Sequence, residues 1–158
     1  MLRIYVTNRV MRLLNKEARR MFPKECFSAL IGEQSGEYSE IKDIWIPDDL
    51  DKYSGSSFVT TPHHWAIGAS EYAEEHDMHV LGSHHSHPYT YEEWNKYSMA
   101  QMLYSTCAPS HGDWEFEWSN ICGITSIVQG KTGKPKTRTE FYGPAVSVKR
   151  YIIKSNGA

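Results

Sequence analysis

The sequence predicts a single α+β domain with α-β-α layers, in which helices are interspersed with mostly antiparallel strands. The chain has 158 residues, close to the most common size of one domain. Hydrophobic residues make up 40% and charged residues 23% of it, as in ordinary globular proteins. Segments in which apolar residues recur at helical spacing alternate with short apolar runs, and turn-forming residues flank these runs. We therefore expect one domain over residues 1–158.

The N-terminal segment predicts a strand followed by a helix. Residues 3–6 have the composition of a short strand, and Thr7 or Asn8 can cap the helix that follows. Apolar residues recur in this helix at the spacing of one buried face, and Pro23 ends it.

A second helix is predicted to begin at Thr61-Pro62, because threonine is a good N-cap and proline suits the first helical position. Residues 89–120 are polar and aromatic without a clear period. The remaining strands are predicted at 27–31, 40–46, 58–60, 79–82, 122–128, 137–142 and 146–153.

Charge is distributed unevenly along the chain. Residues 1–24 and residues 131–158 each carry seven Lys or Arg and one acidic residue, whereas residues 25–130 carry three basic and seventeen acidic residues. This asymmetry predicts two faces of opposite sign. Neither clustered aromatic residues nor an RNA-binding motif accompanies the basic ends, so we expect a solvated face and no nucleic-acid partner.

The location indicated by the sequence is cytoplasmic. No apolar run approaches the roughly 18 residues that span a bilayer, and the N-terminus lacks the apolar core of a signal peptide, so we expect no membrane partner. Three cysteines are too few and too odd in number for a disulfide scaffold. Cys26 is expected to be a buried apolar residue and not a nucleophile.

The strongest local signal for chemistry is Gly-Ser-His-His-Ser-His-Pro at residues 82–88. Alternate residues of a strand point to the same face, so His85 and His87 can bind one metal ion while His84 faces the other way. By itself such a pair is also compatible with solvated imidazoles at a polar strand end. Its neighbours in the sequence decide between the two interpretations.

Two further motifs flank this signal, at residues 23–32 (PKECFSALIG) and 109–113 (PSHGD). Together with His-Ser-His-Pro they resemble the JAMM metallopeptidase family, also called JAB or MPN-plus. That family has a glutamate seven residues before a strand-ending glycine, then H-[ST]-H-P, then S-x-x-D. The resemblance covers about residues 3–154 and implies a JAB/MPN-like fold, with a curved sheet flanked by helices.

The resemblance implies that His85, His87 and Asp113 bind one Zn²⁺. It also implies that Glu25 is the general base and that Ser110 donates a hydrogen bond to the oxyanion. The residue types suit this chemistry, because two imidazoles and one carboxylate leave the fourth tetrahedral position of a catalytic zinc to water.

The sequence departs from the family pattern in the separation of the motifs. Twenty-one residues lie between Pro88 and Ser110, where the family has about six or seven, which indicates an insertion at about 89–108. We expect this insertion to form a lid or a side wall of the site. An alternative places the motif at Ser98-x-x-Gln101, although glutamine is a poor zinc ligand.

A second departure is Ser28, where the family usually has glycine after the glutamate. Serine is small, so we expect a local packing change and no loss of the site.

The activity implied is peptide or isopeptide hydrolysis after the C-terminal glycine of a ubiquitin-like modifier, which is the expected partner. This hydrolysis would be deconjugation or precursor processing, for example in a bacterial antiviral conjugation system such as CBASS. Alternatives are a non-catalytic MPN scaffold, and a phage-tail or sulfur-carrier-processing peptidase of the same type. A RadC-like domain shares the metal motif but carries HNHPSG, where this chain has HSHPYT at residues 85–90.

Overall fold

The part of the chain that the computed structural model describes contains eight strands, three α-helices and one 3-10 helical turn. The residues it describes are 3–36, 38–91, 98–109, 121–143, 148–149 and 152–155. The helices are α1 (Asn8–Met21), α2 (His63–Glu75) and α3 (Met99–Thr106), with the 3-10 turn at Leu50–Lys52. The strands are β1 (Arg3–Thr7), β2 (Phe27–Ser35), β3 (Tyr38–Trp45), β4 (His79–Thr90), β5 (Ile121–Gln129), β6 (Lys136–Gly143), β7 (Val148–Lys149) and β8 (Ile152–Ser155).

The strands form one mixed sheet in the order β7-β6-β5-β4-β2-β3-β1-β8. Four of its seven pairings are antiparallel (β2–β3, β2–β4, β5–β6 and β6–β7) and three are parallel (β1–β3, β1–β8 and β4–β5). The predicted α+β class with a mostly antiparallel sheet is confirmed. Strand β4 lies between β2 and β5, in the interior of the sheet.

Helices cover both faces of the sheet, as the side-chain alternation along β2 demonstrates. Leu30 packs with Val10 and Leu14 of α1. Its neighbours Ala29 and Ile31 pack instead against α2. Because successive strand residues point to opposite faces, α1 and α2 lie on opposite sides of the sheet, which is the predicted layered arrangement.

The sheet curves around α1. One buried cluster joins this helix to six strands, β1 to β6, through Ile4, Leu30, Ile41, Leu81, Ile121 and Phe141. The positions of the two C-terminal strands, described next, require the curvature that the family resemblance implies.

The C-terminal strands show how far the curvature extends. The single strand expected at 146–153 is instead two short strands, β7 and β8, at opposite edges of the sheet. Lys149 and Ile152 are three residues apart, so their Cα atoms are separated by at most about 11 Å. The two edges of the sheet must therefore approach each other.

The N-terminal cap of α1 agrees with the sequence, whereas that of α2 differs by one residue. The backbone N–H of Val10 donates to Thr7 Oγ1 at 3.1 Å, as expected of a threonine N-cap. Helix α2 begins at His63 with Pro62 at its N-cap and no side-chain cap. The fixed φ angle of proline suits both the N-cap and the first helical position, so the predicted start of α2 is wrong by one residue only.

One predicted strand is not formed, two predicted strands are longer than expected, and one helix was not predicted. Strand β2 continues from the predicted 27–31 to Ser35. Residues 58–60 form only an isolated bridge, Ser54 to Val59, and not a strand. Strand β4 continues from the predicted 79–82 to Thr90, because β2 and β5 supply hydrogen-bond partners along its polar half. Helix α3 occupies a region in which the sequence shows no apolar period.

Within the described residues, no helix is long and apolar enough to cross a membrane.

Gly82 marks the closest approach between β4 and β5, and its replacement tests the sheet order. A Cβ atom at this position would lie 1.9 Å from the carbonyl oxygen of Ile121. We expect Gly82→Ala to lower the free energy of unfolding by about 2 kcal/mol or more, since backbone must move. Urea unfolding measures this loss. Gly130→Ala is the control, because its Cβ would meet only the flexible end of Met99 at 3.1 Å; equal effects of the two variants would contradict the β4–β5 packing.

Candidate metal centre

His85 and His87 occupy alternate positions of β4 and present their imidazoles to each other. Their Nε2 atoms are 3.1 Å apart, and their ring centroids are 4.9 Å apart. His85 is buried and His87 is partly buried. The prediction that the two side chains share one face of the strand is confirmed.

The hydrogen bond at the other side of the His87 ring defines its tautomer. His87 Nδ1 lies 2.8 Å from the carbonyl oxygen of Thr106. A carbonyl only accepts, so the proton of the neutral ring is on Nδ1 and the Nε2 lone pair faces His85. Histidines that bind metals commonly donate their second ring N–H to a carbonyl in this way.

The two imidazoles fit a zinc ion. Two nitrogen ligands about 2.0–2.1 Å from one tetrahedral ion are about 3.3–3.4 Å apart, close to the observed 3.1 Å. Within the described ranges no group of three His, Cys, Asp or Glu side chains could hold a metal. The predicted third ligand Asp113 and the predicted oxyanion donor Ser110 lie outside the described residues.

Glu25 precedes β2 by two residues, and the β2–β4 register relates it to His87. In the antiparallel register Phe27 pairs with His85, so continuing it by two residues brings Glu25 to His87. The backbone N–H of Cys26, the residue before β2, donates to Ser86 Oγ at 2.8 Å, so the two segments stay in contact beyond the regular ladder. The serine between the two histidines therefore connects the strand of the candidate base to the strand of the candidate ligands.

The loop before α2 holds the backbone of Glu25 from the other side. Its N–H donates to the carbonyl oxygen of Gly55 at 2.8 Å, and its carbonyl oxygen accepts a short hydrogen bond from the Ser54 hydroxyl. Both backbone groups of Glu25 are thus occupied by this loop.

Glu25 and His87 line one cavity of about 530 Å³. The described parts of the predicted insertion form one of its walls, through residues of β4 and of the C-terminal end of α3. Pro109, directly before Ser110, also lines the cavity. The other lining residues are Ser56, Ser57, Pro88, Tyr89, Ser105, Thr106 and Ala108.

His84 faces the opposite side of the sheet, as predicted from its position between the two ligands. Its Nε2 is 2.6 Å from Thr125 Oγ1 and its Nδ1 is 3.4 Å from Ser28 Oγ. Burial lowers the pKa of His84 to about 3, so the ring is neutral. Ser28 is the residue where the family usually has glycine, and its hydroxyl provides a polar contact for this buried imidazole.

Cys26 is a buried residue and not an activated thiol. Burial raises the pKa of its thiol to about 12, mainly because the charged form would lose its hydration. All three cysteines are buried and free. The interpretation of Cys26 as an apolar residue next to Glu25 is confirmed.

The Ser98-x-x-Gln101 spacing has a structural explanation. Ser98 Oγ accepts from the N–H of Gln101 at 3.2 Å, and Gln101 Oε1 accepts from the N–H of Ser98 at 2.8 Å. This is a capping box, and it begins α3. Read as a helix start, the same spacing would have predicted α3. The Thr106 carbonyl had no comparable signal, because any residue type supplies a carbonyl.

The region that contains Glu25, His85 and His87 matches a known family. Residues 7–93, more than half of the chain, match the model of the prokaryotic homologs of the JAB domain. The chain belongs to the prokaryotic JAB family. No functionally curated protein matches the chain.

Solved structures share the JAB/MPN fold over nearly the whole chain. Protein DSY2949 from Desulfitobacterium hafniense is 18% identical with a TM-score of 0.68, over 98% of this chain and 94% of that one. A Salinibacter ruber protein is 14% identical with a TM-score of 0.55, over 96% and 92%. AF2198, a JAB1/MPN domain protein from Archaeoglobus fulgidus, is 13% identical with a TM-score of 0.51, over 99% and 98%.

Replacement of the two paired histidines tests the metal centre. We expect His85→Ala and His87→Ala each to weaken zinc binding by about 100-fold or more. Each variant lacks a metal ligand, and loss of a ligand costs more affinity than loss of a residue that only hydrogen-bonds to a ligand. Competition with a chromogenic chelator measures the zinc affinity. His79→Ala is the matched control, since His79 is exposed at the start of the same strand. Unchanged affinity in either cavity variant would exclude the pair as ligands.

The state of Cys26 is tested by alkylation. The thiolate is the reactive form, and a pKa raised to about 12 leaves almost none of it at pH 7.5. We expect the native protein to take up no iodoacetamide within an hour, while the protein in urea takes up three equivalents, one for each cysteine. Mass spectrometry counts the labels. Rapid labelling of native Cys26 would show that its thiol is activated.

Proposed function

We propose that this JAB-family protein is a zinc-dependent metallopeptidase of the JAMM type. The observation that carries the proposal is the cavity that Glu25 and His87 line together, with the Nε2 of His87 3.1 Å from that of His85. A carboxylate close to two paired imidazoles is an arrangement suited to activating water next to a metal.

The proposed ligands are His85, His87 and Asp113. When bound, zinc lowers the pKa of a water molecule to about 7 and polarises a substrate carbonyl. His87 meets the protonation requirement of a ligand, because its proton is held on Nδ1 by the Thr106 carbonyl. The support for Asp113 is its residue type and its place four residues after Pro109, which lines the cavity.

Glu25 is proposed as the general base and then the general acid. Its carboxylate accepts a proton from the attacking water and delivers it to the nitrogen of the leaving amine. The bonds that Gly55 and Ser54 make to its backbone hold the carboxylate in place during both transfers. Ser110 is proposed to donate a hydrogen bond to the oxyanion of the tetrahedral intermediate, a contribution of about 3 kcal/mol in comparable sites.

The proposed substrate is the C-terminal tail of a ubiquitin-like modifier, cleaved after its terminal glycine. This part of the proposal rests on the family resemblance, as does its extension to a bacterial antiviral conjugation system. The described lining of the cavity includes Glu25 and has no Lys or Arg, which suits a tail approaching from a basic surface. The free, buried cysteines agree with a reducing cytoplasm as the place of action.

Replacement of the base separates a peptidase from a scaffold that only binds partners. We expect Glu25→Gln to retain zinc and fold and to lower kcat by about 10²–10⁴-fold, because an amide cannot accept the proton. The assay measures cleavage of a modifier precursor that is extended beyond its C-terminal glycine. Glu33→Gln is the control, since Glu33 is an exposed carboxylate of β2 whose ion pair with Lys42 lies on the surface.

A zinc-loaded wild-type protein with no turnover on any extended modifier would favour the scaffold. Activity of Glu25→Gln within tenfold of wild type would assign the base to another residue.

A further inference from the structure

The C-terminal end of α3 is joined to His87 by a hydrogen bond that the family motifs do not contain. We propose that Thr106 is a positioning residue: its backbone carbonyl selects the tautomer and orientation of His87, and its side chain holds that carbonyl in place. A role for Thr106 in catalysis rests on the proposed function. Its structural content depends only on the contacts of Thr106.

The position of Thr106 in α3 makes its carbonyl available. It is the last residue of the helix, and the last four carbonyls of a helix have no intrahelical partner. The cap N–H of Cys107 closes the last turn on the carbonyl oxygen of Tyr104. The Thr106 oxygen can therefore accept the Nδ1–H of His87 at 2.8 Å without competition from the last turn of its own helix.

The hydroxyl of Thr106 fastens this end of the helix to the sheet. Its Oγ1 donates to the carbonyl oxygen of Met102 at 2.7 Å and forms a short hydrogen bond with Ser126 Oγ. Both hydroxyl-bearing residues are buried. A buried pair of hydroxyls is directional, so it defines the position of the helix end more closely than apolar contact alone.

The anchor and the ligand share one row of the sheet. Ser126 of β5 is the Cα partner of His87 in the parallel β4–β5 register. Thr106 thus bonds through its carbonyl to a β4 residue and through its hydroxyl to the β5 residue beside it. This triangle ties the orientation of the imidazole to the position of α3.

The consequence concerns the insertion at about 89–108. If it served only as a wall for substrate, its removal would leave the metal ligands unaffected. Because Thr106 lies within it, the insertion also supports His87. Loss of the carbonyl or carboxylate that accepts a hydrogen bond from a ligating histidine typically lowers metal affinity by about 10–100-fold. We expect an effect of this size here.

The test compares Thr106→Val with Thr106→Ser in the full chain. Valine keeps the branched shape and removes the hydroxyl, whereas serine keeps the hydroxyl. We expect Thr106→Val to weaken zinc binding by about tenfold and Thr106→Ser to restore most of the affinity. The probe is Zn²⁺ alone, measured by chelator competition. Thr137→Val, the same change on β6 away from the cavity, is expected to leave the affinity at the wild-type value.

A second readout needs no metal. Two-bond ¹H–¹⁵N correlation of the metal-free protein reports which ring nitrogen of His87 carries the proton. We expect the Nδ1–H form in the wild type and a mixture of tautomers in Thr106→Val. Ser126→Ala breaks the same hydroxyl pair from the other strand, so it serves if the valine variant does not fold.

The outcomes separate this inference from the proposed function. A wild-type protein that shows the Nδ1–H tautomer but binds no zinc would contradict the metallopeptidase and leave the positioning role intact. Wild-type affinity and an unchanged tautomer in both Thr106→Val and Ser126→Ala would overturn the positioning role, whatever the activity.

Discussion

The antiparallel pairing of β2 with β4 is the constraint on which the rest of the site depends. It sets Glu25 against His87 and continues beyond the regular ladder through the bond from the Cys26 N–H to Ser86. A slip of one residue would turn His85 and His87 to the opposite face of the sheet. The register is protected because β2 is buried from Phe27 to Gly32 and alternates between two different helical layers. The apolar packing of the core thereby determines the geometry of a polar cavity.

Neighbouring histidines of β4 point to opposite faces of the sheet and lie in different environments. His87 lines the cavity, and its Nε2 opposes that of the buried His85 behind it. His84 faces α1, where Thr125 and Ser28 satisfy a neutral ring. Ser28, which replaces the family's usual glycine, is thus explained by its contact with His84 on the neighbouring strand. Three imidazoles in four residues have distinct roles because the strand period is two.

The sequence predicts this site well where chemistry depends on side-chain type and spacing. The alternation of His85 and His87, and the seven-residue interval from Glu25 to Gly32, each follow from strand geometry and a motif. Prediction fails where the backbone acts or where neighbours override local pattern. Strand β4 is longer than its apolar segment because β2 and β5 pair with both of its sides. The carbonyl of Thr106 has no residue signature at all.

Helix α1 has a consequence for how the domain opens. Because one buried cluster joins this helix to strands β1 to β6, separating β4 from β2 exposes the core of α1 as well. Slow amide hydrogen exchange marks segments that open only with the whole domain, and the central part of β4 belongs to that class. Helix α3 packs mainly against β5 and β6, away from the cluster around α1, so its amides exchange through smaller openings. The cavity therefore combines a floor that is as stable as the domain with a wall that can open separately.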